Sequence, residues 1–374
     1  MSLENPFSKT NILPPERTNS TANEELIASL LGTKARERYR ETLSDNLQTK
    51  TPEKPVFNLD TFDEQSFDAH ELENRLELTK QYDTQRDTFQ QIGLLEKKEG
   101  ILGMEAVDGT FYPFPTLEEV HQRLREKQTL VEQKEKQGFK KLCIVPFGMS
   151  LQQLTETLKK TLLAHYHDMP DPSDPKKRIP DPTTTKLWST NTDGTKEALK
   201  LDKDNPLFVW DQYQEKNISY FPAAYDQDEA KHGGQTKQAL LKQNQAFHIL
   251  LLENTPIPRR GNGATVRGRP QIEAGKTPRE YLKLLQEDPL YQGEQGLTPE
   301  AWMTQFMLTL ETKNEVIDDY LGNGSLNYNL GAYFQDFGAV SYGYWDRDDA
   351  RARMGGGDAG SRGTDCGARS AVMV

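Results

Sequence analysis

The chain has 374 residues and a formal net charge of -11 at pH 7. This acidic balance disfavours a general binder of nucleic acids or anionic membranes, because like charges repel. No apolar run approaches the roughly 18 residues that a membrane-spanning helix needs, and the N-terminus has no apolar signal-peptide core. We therefore expect no nucleic-acid partner, no membrane span and a cytoplasmic origin, while display on a surface or virion stays open.

Cysteine and histidine positions give no sign of a disulfide or a metal site. Cys143 and Cys366 lie far apart in the sequence and form no CxxC pair, so we expect two free thiols. His165 and His167 are too few ligands for a zinc site. We therefore expect no metal and no cofactor.

The first third of the chain is predicted to be a flexible arm followed by a helical region. Residues 1–60 are rich in Asn, Thr, Pro, Glu and Lys, which is typical of a mobile segment. Residues 61–135 are predicted to be helical, and a capping-box match at Thr116 begins one helix. An earlier helix, either simply packed or part of an oligomerising stalk, has one face formed by Leu78, Tyr82, Gln85, Phe89 and Ile92.

Residues 136–374 are predicted to form one domain. The run from Lys141 to Gly148 predicts a short buried strand, and Ser150 is positioned to cap the helix that follows. The Pro- and Asp-rich residues 168–184 predict a loop or linker. In the helix that Ser150 caps, the inward face is predicted to consist of Leu151, Leu154, Leu158 and Leu162.

Strand-like runs precede two helix signals in the second half of this domain. The runs are rich in β-branched and aromatic residues and cover 206–210, 218–221 and 246–252. Thr277 begins a capping box with proline at the first helical position, and Thr298 followed by proline begins a second helix. This order predicts an α+β fold in which helices pack on an irregular sheet.

Residues 331–374 differ in composition from the rest of the chain. They include no Lys, Glu, Asn, Leu or Ile and are dominated by Gly, Asp, Arg, Ala, Tyr and Ser. Tyr, Arg, Gly and Ser are the residues that binding loops favour. Apolar runs at 330–334 and 371–374 bracket the segment and are predicted to be buried strands. We therefore predict a loop-rich binding surface on a scaffold and not a disordered tail.

The end of the chain resembles the variable proteins of diversity-generating retroelements. The resemblance rests on Tyr344-Trp345, on the surrounding mosaic of Gly, Asp, Arg, Ser and Tyr, and on the closing run Gly367-Ala368-Arg369-Ser370-Ala371-Val372. Such proteins, encoded by phages and candidate-phyla bacteria, carry a C-terminal variable region on a C-type-lectin-like fold. The resemblance implies this fold for residues 136–374 and a variable binding segment at 331–374. Arg369, Ala371 and Val372 are then expected to be structural.

The resemblance also implies which positions vary. In such systems template adenines are copied with errors, and randomised AAY codons encode Tyr, Asp, Ser, Gly, Arg and Cys but never Lys, Glu, Gln, Met or Trp. Gln335, Trp345, Met354 and Met373 are therefore expected to be fixed. The predicted ligand-binding positions are Asp336, Phe337, Tyr342, Tyr344, Asp346, Asp348, Asp349, Arg351, Arg353, Asp358, Ser361, Arg362, Asp365 and Cys366.

We expect a binding protein and not an enzyme. Its expected ligand is a macromolecule, and a protein is the first expectation among the classes of macromolecule. Two other interpretations stay open. One is a static structural or adhesion protein of a phage or cell surface. The other is an oxidase of the formylglycine-generating type, which shares the superfold but uses two active-site cysteines. Calcium-dependent sugar binding is not expected, because the tail lacks the Glu-Pro-Asn and Gln-Pro-Asp triplets of sugar-binding lectins.

Overall fold

The computed structural model of the chain describes residues 66–374, so the predicted arm at 1–60 lies outside the described residues. The chain divides into two units, Met1–Glu77 and Leu78–Val374. Eight α-helices lie within the described residues. They are α1 (Ser66–Gln91), α2 (Leu117–Glu126), α3 (Gln128–Lys136), α4 (Leu151–His165), α5 (Glu229–His232), α6 (Lys237–Leu241), α7 (Pro278–Glu287) and α8 (Pro299–Lys313).

Nineteen strands accompany these helices in the same part of the chain, which makes the fold α+β. They are β1 (Glu96–Lys98), β2 (Ile101–Glu105), β3 (Phe111–Pro113), β4 (Phe139–Val145), β5 (Asp168–Asp171), β6 (Asp174–Pro180), β7 (Trp188–Thr190), β8 (Lys196–Ala198), β9 (Leu207–Val209), β10 (Ser219–Tyr220), β11 (His248–Glu253), β12 (Thr265–Val266), β13 (Arg269–Pro270), β14 (Glu294–Gly296), β15 (Leu326–Phe334), β16 (Ala339–Asp346), β17 (Arg351–Asp358), β18 (Cys366–Ala368) and β19 (Ser370–Met373).

Local capping signals fix where several helices begin. Thr116 and Thr277 each form the predicted capping box, in which the threonine oxygen and the glutamate three residues later accept hydrogen bonds from each other's backbone N–H. Ser150 accepts a hydrogen bond from the Gln153 N–H, and Thr298 accepts one from the Ala301 N–H. These four predicted helix starts are confirmed.

A four-stranded antiparallel sheet in the order β14-β19-β11-β4 forms the centre of the second unit. Helix α8 packs against β4 and against α4. The predicted strand after residue 140 is therefore confirmed, as is the inward face of α4, whose Leu151, Leu154, Leu158 and Leu162 are buried. The run 246–252 is likewise confirmed as the buried strand β11.

Helix α1 closes the open edge of this sheet. Gln81 Oε1 accepts a hydrogen bond from the Leu142 N–H at 2.7 Å, and its Nε2 donates to the Lys140 carbonyl at 3.1 Å. Gln85 Oε1 accepts from the Ile144 N–H at 2.9 Å, and its Nε2 donates to the Leu142 carbonyl at 3.0 Å. Two glutamine side chains thus replace a neighbouring strand along β4 and block further edge pairing. Burial of Tyr82, Gln85 and Phe89 confirms the predicted stripe.

Residues 61–135 are not purely helical, because β1, β2 and β3 form an antiparallel sheet within them. A two-residue turn joins β1 to β2, with φ of 54° at Glu99 and 84° at Gly100. The strands are short and largely exposed, so they leave no apolar alternation in the sequence. Phe114, after β3, packs edge-on against Phe247 with ring centroids 5.6 Å apart. The region therefore shares a core with the remainder of the unit, and the expected boundary at residue 135 is absent from Leu78–Val374.

The prediction of a loop at residues 168–184 was also wrong, because β5 and β6 pair there as an antiparallel hairpin. Asp171 Oδ1 accepts hydrogen bonds from the Ser173 N–H and hydroxyl, which fixes the turn. Both strands lie in a two-stranded ribbon and keep one free edge. Such an edge tolerates the prolines that a central strand excludes, so composition misleads here.

A second sheet has the order β10-β15-β16-β17-β9, and β18 pairs in parallel with β15. The predicted strands at 206–210 and 218–221 form its two ends. The tail is therefore built mainly of strands, and the expected loop-rich segment at 331–374 is corrected. The bracketing runs are nonetheless buried strands, as predicted.

A buried ionic network holds β14 and β19 together. Glu294 is paired with Lys134 at 2.6 Å and with Arg269 at 2.6 Å, and the three side chains are fully buried. Ser370, the first residue of β19, donates a hydrogen bond from its hydroxyl to Glu294 Oε2 at 2.6 Å. Each buried charge has an opposite charge in contact, which is the condition for keeping ions inside a fold.

Candidate binding face

Side chains alternate between buried and partly exposed over residues 341–345 of β16, where the tail folds back on itself. Ser341, Gly343 and Trp345 are buried beneath the sheet, whereas Tyr342 and Tyr344 are partly exposed on its other side. Successive side chains of a strand point to opposite faces, so this pattern separates an outward from an inward set. The outward set includes predicted binding positions, and the inward set includes Trp345, which was expected to be fixed.

Strand β17 contributes residues to both the outward and the inward set. Arg353 lies directly across from Tyr344, and Gly355 across from Tyr342. Met354, another position expected to be fixed, is fully buried. A Cβ added to Gly355 would overlap the ring of Tyr342. The glycine therefore lets this ring lie flat across β17, and the glycine-rich sequence serves close packing.

Six side chains form one continuous aromatic and cationic surface, which we name the tyrosine–arginine face. Its members come from β9, β16, β17 and the segment before β15: Phe208, Tyr320, Tyr342, Tyr344, Arg351 and Arg353.

Ring and guanidinium contacts connect the members of this face. The Tyr344 ring is 5.2 Å from Tyr320, edge to face, and 6.0 Å from Tyr342, measured between centroids. The guanidinium carbons of Arg351 and Arg353 lie 5.8 Å and 5.2 Å from the centroid of Phe208. These distances suit aromatic pairing and cation–π attraction, so the face is ordered before any ligand arrives.

Burial raises the pKa of Tyr342 and Tyr344, and Asp346 adds to the rise at Tyr344. The pKa of Tyr320 is raised by burial and by Asp346 and Asp348. The three phenols therefore stay protonated at physiological pH. They offer an apolar ring together with a hydroxyl that can donate or accept a hydrogen bond.

Acidic side chains hold the turn between β16 and β17. Asp346 is buried and its Oδ1 accepts hydrogen bonds from the N–H groups of Asp348 and Asp349, at 3.0 Å and 3.1 Å. Asp349 pairs with both Arg351 and Arg353. Asp348 is exposed. Of the predicted binding positions, Asp346 therefore shapes the turn, whereas Asp348 and Asp349 lie at the rim of the face.

The remaining predicted positions lie elsewhere in the segment. Asp336 and Phe337 are exposed in the turn before β16, beside Asp358 at the end of β17. β16 has eight residues, and seven steps of ~3.3 Å put its first residue about 23 Å from Asp346. The fourteen positions therefore do not form a single patch.

A third group follows β17. Ser361, Arg362 and Asp365 are exposed, and Arg362 pairs with Glu280 on α7. Cys366 is half-buried on β18. Because β18 lies on the side of β15 away from β16, this group borders the tyrosine–arginine face at its far edge.

Two members of the face, Phe208 and Tyr320, were not among the predicted positions. Phe208 is 36% exposed between buried Leu207 and half-buried Val209, so alternation in that run could have indicated an outward aromatic ring. Tyr320 lies in an irregular segment with no such pattern. Only the tertiary fold brings it beside Tyr344.

Arg347 and Arg369, the tail arginines outside the predicted set, serve the scaffold. Arg347 pairs with Asp319 at 2.7 Å and with Glu197. Arg369 pairs with Asp318 at 2.7 Å and donates to the Thr255 carbonyl at 2.6 Å. The expected structural character of Arg369, Ala371 and Val372 agrees with these contacts and with the full burial of the two apolar residues.

Both cysteines are free thiols. Cys143 is completely buried in β4, and burial raises the pKa of its thiol to about 12. Burial also raises the pKa of Cys366, although a hydrogen bond from Tyr328 opposes the rise. Neither thiol is activated as a nucleophile, because the thiolate is the reactive form. Within residues 66–374, no three His, Cys, Asp or Glu side chains come together in a way that could hold a metal ion.

Comparison of the chain with protein-family models, with curated proteins and with solved structures yields no match. Across residues 66–374, no helix combines the length and the apolar character that crossing a membrane requires.

Proposed function

We propose that the chain is a ligand-recognition protein and that the tyrosine–arginine face is its binding surface, with a protein as the ligand. The observation that carries this proposal is the separation along β16 and β17 between an outward set rich in Tyr and Arg and an inward set that is fully buried. Tyr and Arg are the residues that dominate the binding energy of protein interfaces. Rings that are already ordered lose little conformational entropy on binding.

We further propose a C-type-lectin-like fold for residues 136–374. Support comes from the four-stranded sheet, in which β4 at the start of this range and β19 at its end both pair with β11. Strands β16 and β17, which lie between β4 and β19 in the sequence, carry their outward residues on the second sheet. On such a scaffold Tyr344, Arg351 and Arg353 lie outside the buried clusters, and Tyr342 lies at the border of one.

We also propose that the tail is diversified by a retroelement that misreads adenines. Outward positions on β16 and β17 carry residues that randomised AAY codons encode. Among the buried positions, Trp345 and Met354 are residues that these codons do not encode, whereas Ser341, Gly343 and Ala352 are encodable. Diversification of this type keeps the fold only if edited side chains lie outside the core. Tyr344 and Arg353 meet that condition, whereas Tyr342 also packs against a buried cluster.

A static adhesion surface would use the same face without variation between copies of the gene. The oxidase alternative has less support, because it requires two cooperating thiols. Cys143 lies in the four-stranded sheet, Cys366 lies in the other sheet, and burial raises the pKa of both.

Sequencing of the gene across its source population tests the proposal. We expect amino-acid differences at Tyr342, Tyr344, Arg351 and Arg353, together with a template repeat and a reverse transcriptase nearby. The matched control is the inward neighbours Ser341, Gly343, Ala352 and Met354 on the same two strands, which should not vary. Equal variation in the two sets would contradict diversification, and invariance of both sets without a template repeat would favour the static surface.

A further inference from the structure

A polar cleft with a volume of ≈ 180 Å³ lies beside the four-stranded sheet. Its walls come from β4, β7, the C-terminal end of α8, the segments that follow β11 and α8, and Arg369. None of the six residues of the tyrosine–arginine face lines it, so it is a separate site.

The carboxylates that line this cleft are already neutralised. Each of the four is in contact with a cationic side chain, and in each pair the lining carboxylate is named first: Glu253–Arg269, Glu315–Lys196, Asp318–Arg369 and Asp319–Arg347. Because each carboxylate is balanced by its own cationic partner, the cleft has no unpaired negative charge that would bind a cation.

Two lysines in the same cleft lack such a partner. Lys141 Nζ donates to the Thr309 hydroxyl at 2.9 Å, and Lys313 Nζ donates to Asn254 Oδ1 at 3.1 Å. Within the described part of the chain, neither ammonium group has a carboxylate within 4.0 Å. Burial lowers the pKa of Lys141 to about 8, with Lys313 and Arg369 adding to the fall. Lys141 is half-buried, and a cation that has lost much of its solvent without gaining an anionic partner is costly to a fold and marks a candidate binding site.

A side-chain oxygen among the cleft residues lacks a hydrogen-bond donor within residues 66–374. Gln305 on α8 is only 3% exposed, yet its Oε1 accepts no hydrogen bond from any described residue. A buried carbonyl oxygen without a donor costs about 1–3 kcal/mol. A ligand that donates a hydrogen bond here would remove that cost.

We propose that the cleft binds a small organic acid. Its carboxylate lies between Lys141 and Lys313, and its hydroxyl or amino group donates a hydrogen bond to Gln305 Oε1. The volume limits the size of the acid, since a cavity of about 150 Å³ holds one benzene molecule. The ligand class is therefore a hydroxy or amino acid with roughly six to ten non-hydrogen atoms.

Saturation-transfer NMR on the full chain tests this site with lactate, malate, serine and aspartate as probes. The matched control ligands are lactamide and serinamide, which keep the hydroxyl or amino group but lack the negative charge of the carboxylate. We expect at least one acid to bind with a millimolar or tighter Kd, and its amide to bind at least tenfold more weakly.

Three variants assign the binding to the two lysines. Lys141→Met should weaken binding at least tenfold. Lys313 is exposed, so Lys313→Met leaves the core untouched, and it should weaken binding about threefold. Lys140→Met, at the exposed neighbouring position on β4, should leave affinity unchanged. The proposal is overturned if no acid of the panel binds, if the amide binds as well as its acid, or if Lys313→Met and Lys140→Met bind with equal affinity.

Discussion

The two main sheets of the molecule use their side chains in different ways. On β11, the consecutive residues Leu250, Leu251 and Leu252 are all buried, so both faces of the four-stranded sheet are committed to packing. On β16, Tyr342 and Tyr344 are only partly buried and alternate with the buried Ser341, Gly343 and Trp345. The middle of β11 therefore has no open side-chain position, whereas β16 leaves the side chains of Tyr342 and Tyr344 open on one face. This difference makes the second sheet the suitable support for a changing surface.

Ion pairs follow the same division. In the four-stranded sheet, Glu294 and its cationic partners are fully buried, and removal of one partner would leave a charge without compensation. At the tip of β16 and β17, Asp349 and Arg351 pair while partly exposed to solvent. Such pairs contribute about 0–1 kcal/mol. The predictions below compare the two sheets in order of decreasing expected effect.

The largest effect is expected for Val372→Asp in β19. Val372 is completely buried and lies directly across from Glu294. The Glu294 carboxylate already pairs with Lys134 and Arg269, so a second buried carboxylate there would meet like charge. We expect the free energy of unfolding to fall by at least about 4 kcal/mol at pH 7, measured by urea denaturation. Burial raises the pKa of such a carboxyl, so the destabilisation should shrink as the pH falls toward 4 and the group takes up a proton.

Introduction of aspartate at an outward position of the second sheet is the control for Val372→Asp. Phe208 on β9 is 36% exposed, and an aspartate there would remain solvated beside Arg353. Phe208→Asp should cost about 1 kcal/mol or less. If the two variants lose equal stability, the division between the sheets is wrong.

An intermediate effect is expected for Gln85→Leu on α1, which tests how the edge of the four-stranded sheet is closed. The leucine would leave the Ile144 N–H and the Leu142 carbonyl without the hydrogen bonds that Gln85 supplies. Each buried orphan group costs about 1–3 kcal/mol. Because burial of the leucine side chain offsets part of that sum, we expect a net loss of about 2–4 kcal/mol in urea denaturation. Gln90→Leu, at an exposed position of the same helix, should be nearly neutral. A neutral Gln85→Leu would show that the edge needs no cap.

Much of this scaffold could be predicted from local signals. Capping residues such as Thr277 mark helix starts because they satisfy N–H groups of the first turn, and this chemistry needs no distant partner. Apolar runs such as the one in β11 mark buried strands for a similar reason. The glutamine cap on β4 escaped prediction, because Gln85 meets its partners only through tertiary packing.

The candidate face was predictable in its residue types but not in its extent. Composition pointed to the tail, yet glycine is rare in strands, so Gly355 and its neighbours concealed β17. The Tyr342 ring occupies the space that a side chain at Gly355 would need, so only glycine fits this position of the strand. Phe208 and Tyr320 belong to distant parts of the sequence, and no pattern within the tail could reveal them.

The smallest effect is expected for Asp349→Ala, which separates the rim of the face from its structural support. Asp349 contacts Arg351 and Arg353, but its side chain is 37% exposed, so solvent screens both pairs. We expect the free energy of unfolding to change by about 0.5 kcal/mol or less in urea denaturation. Asp346→Ala, three residues earlier, is the matched comparison. Asp346 is buried and accepts hydrogen bonds from two N–H groups of the turn, so its loss should cost about 1–3 kcal/mol. If Asp349→Ala destabilises as much as Asp346→Ala, the outward residues are part of the scaffold and the face cannot vary freely. A clear difference would assign Asp346 to the fixed scaffold and leave Asp349 among the positions free to change.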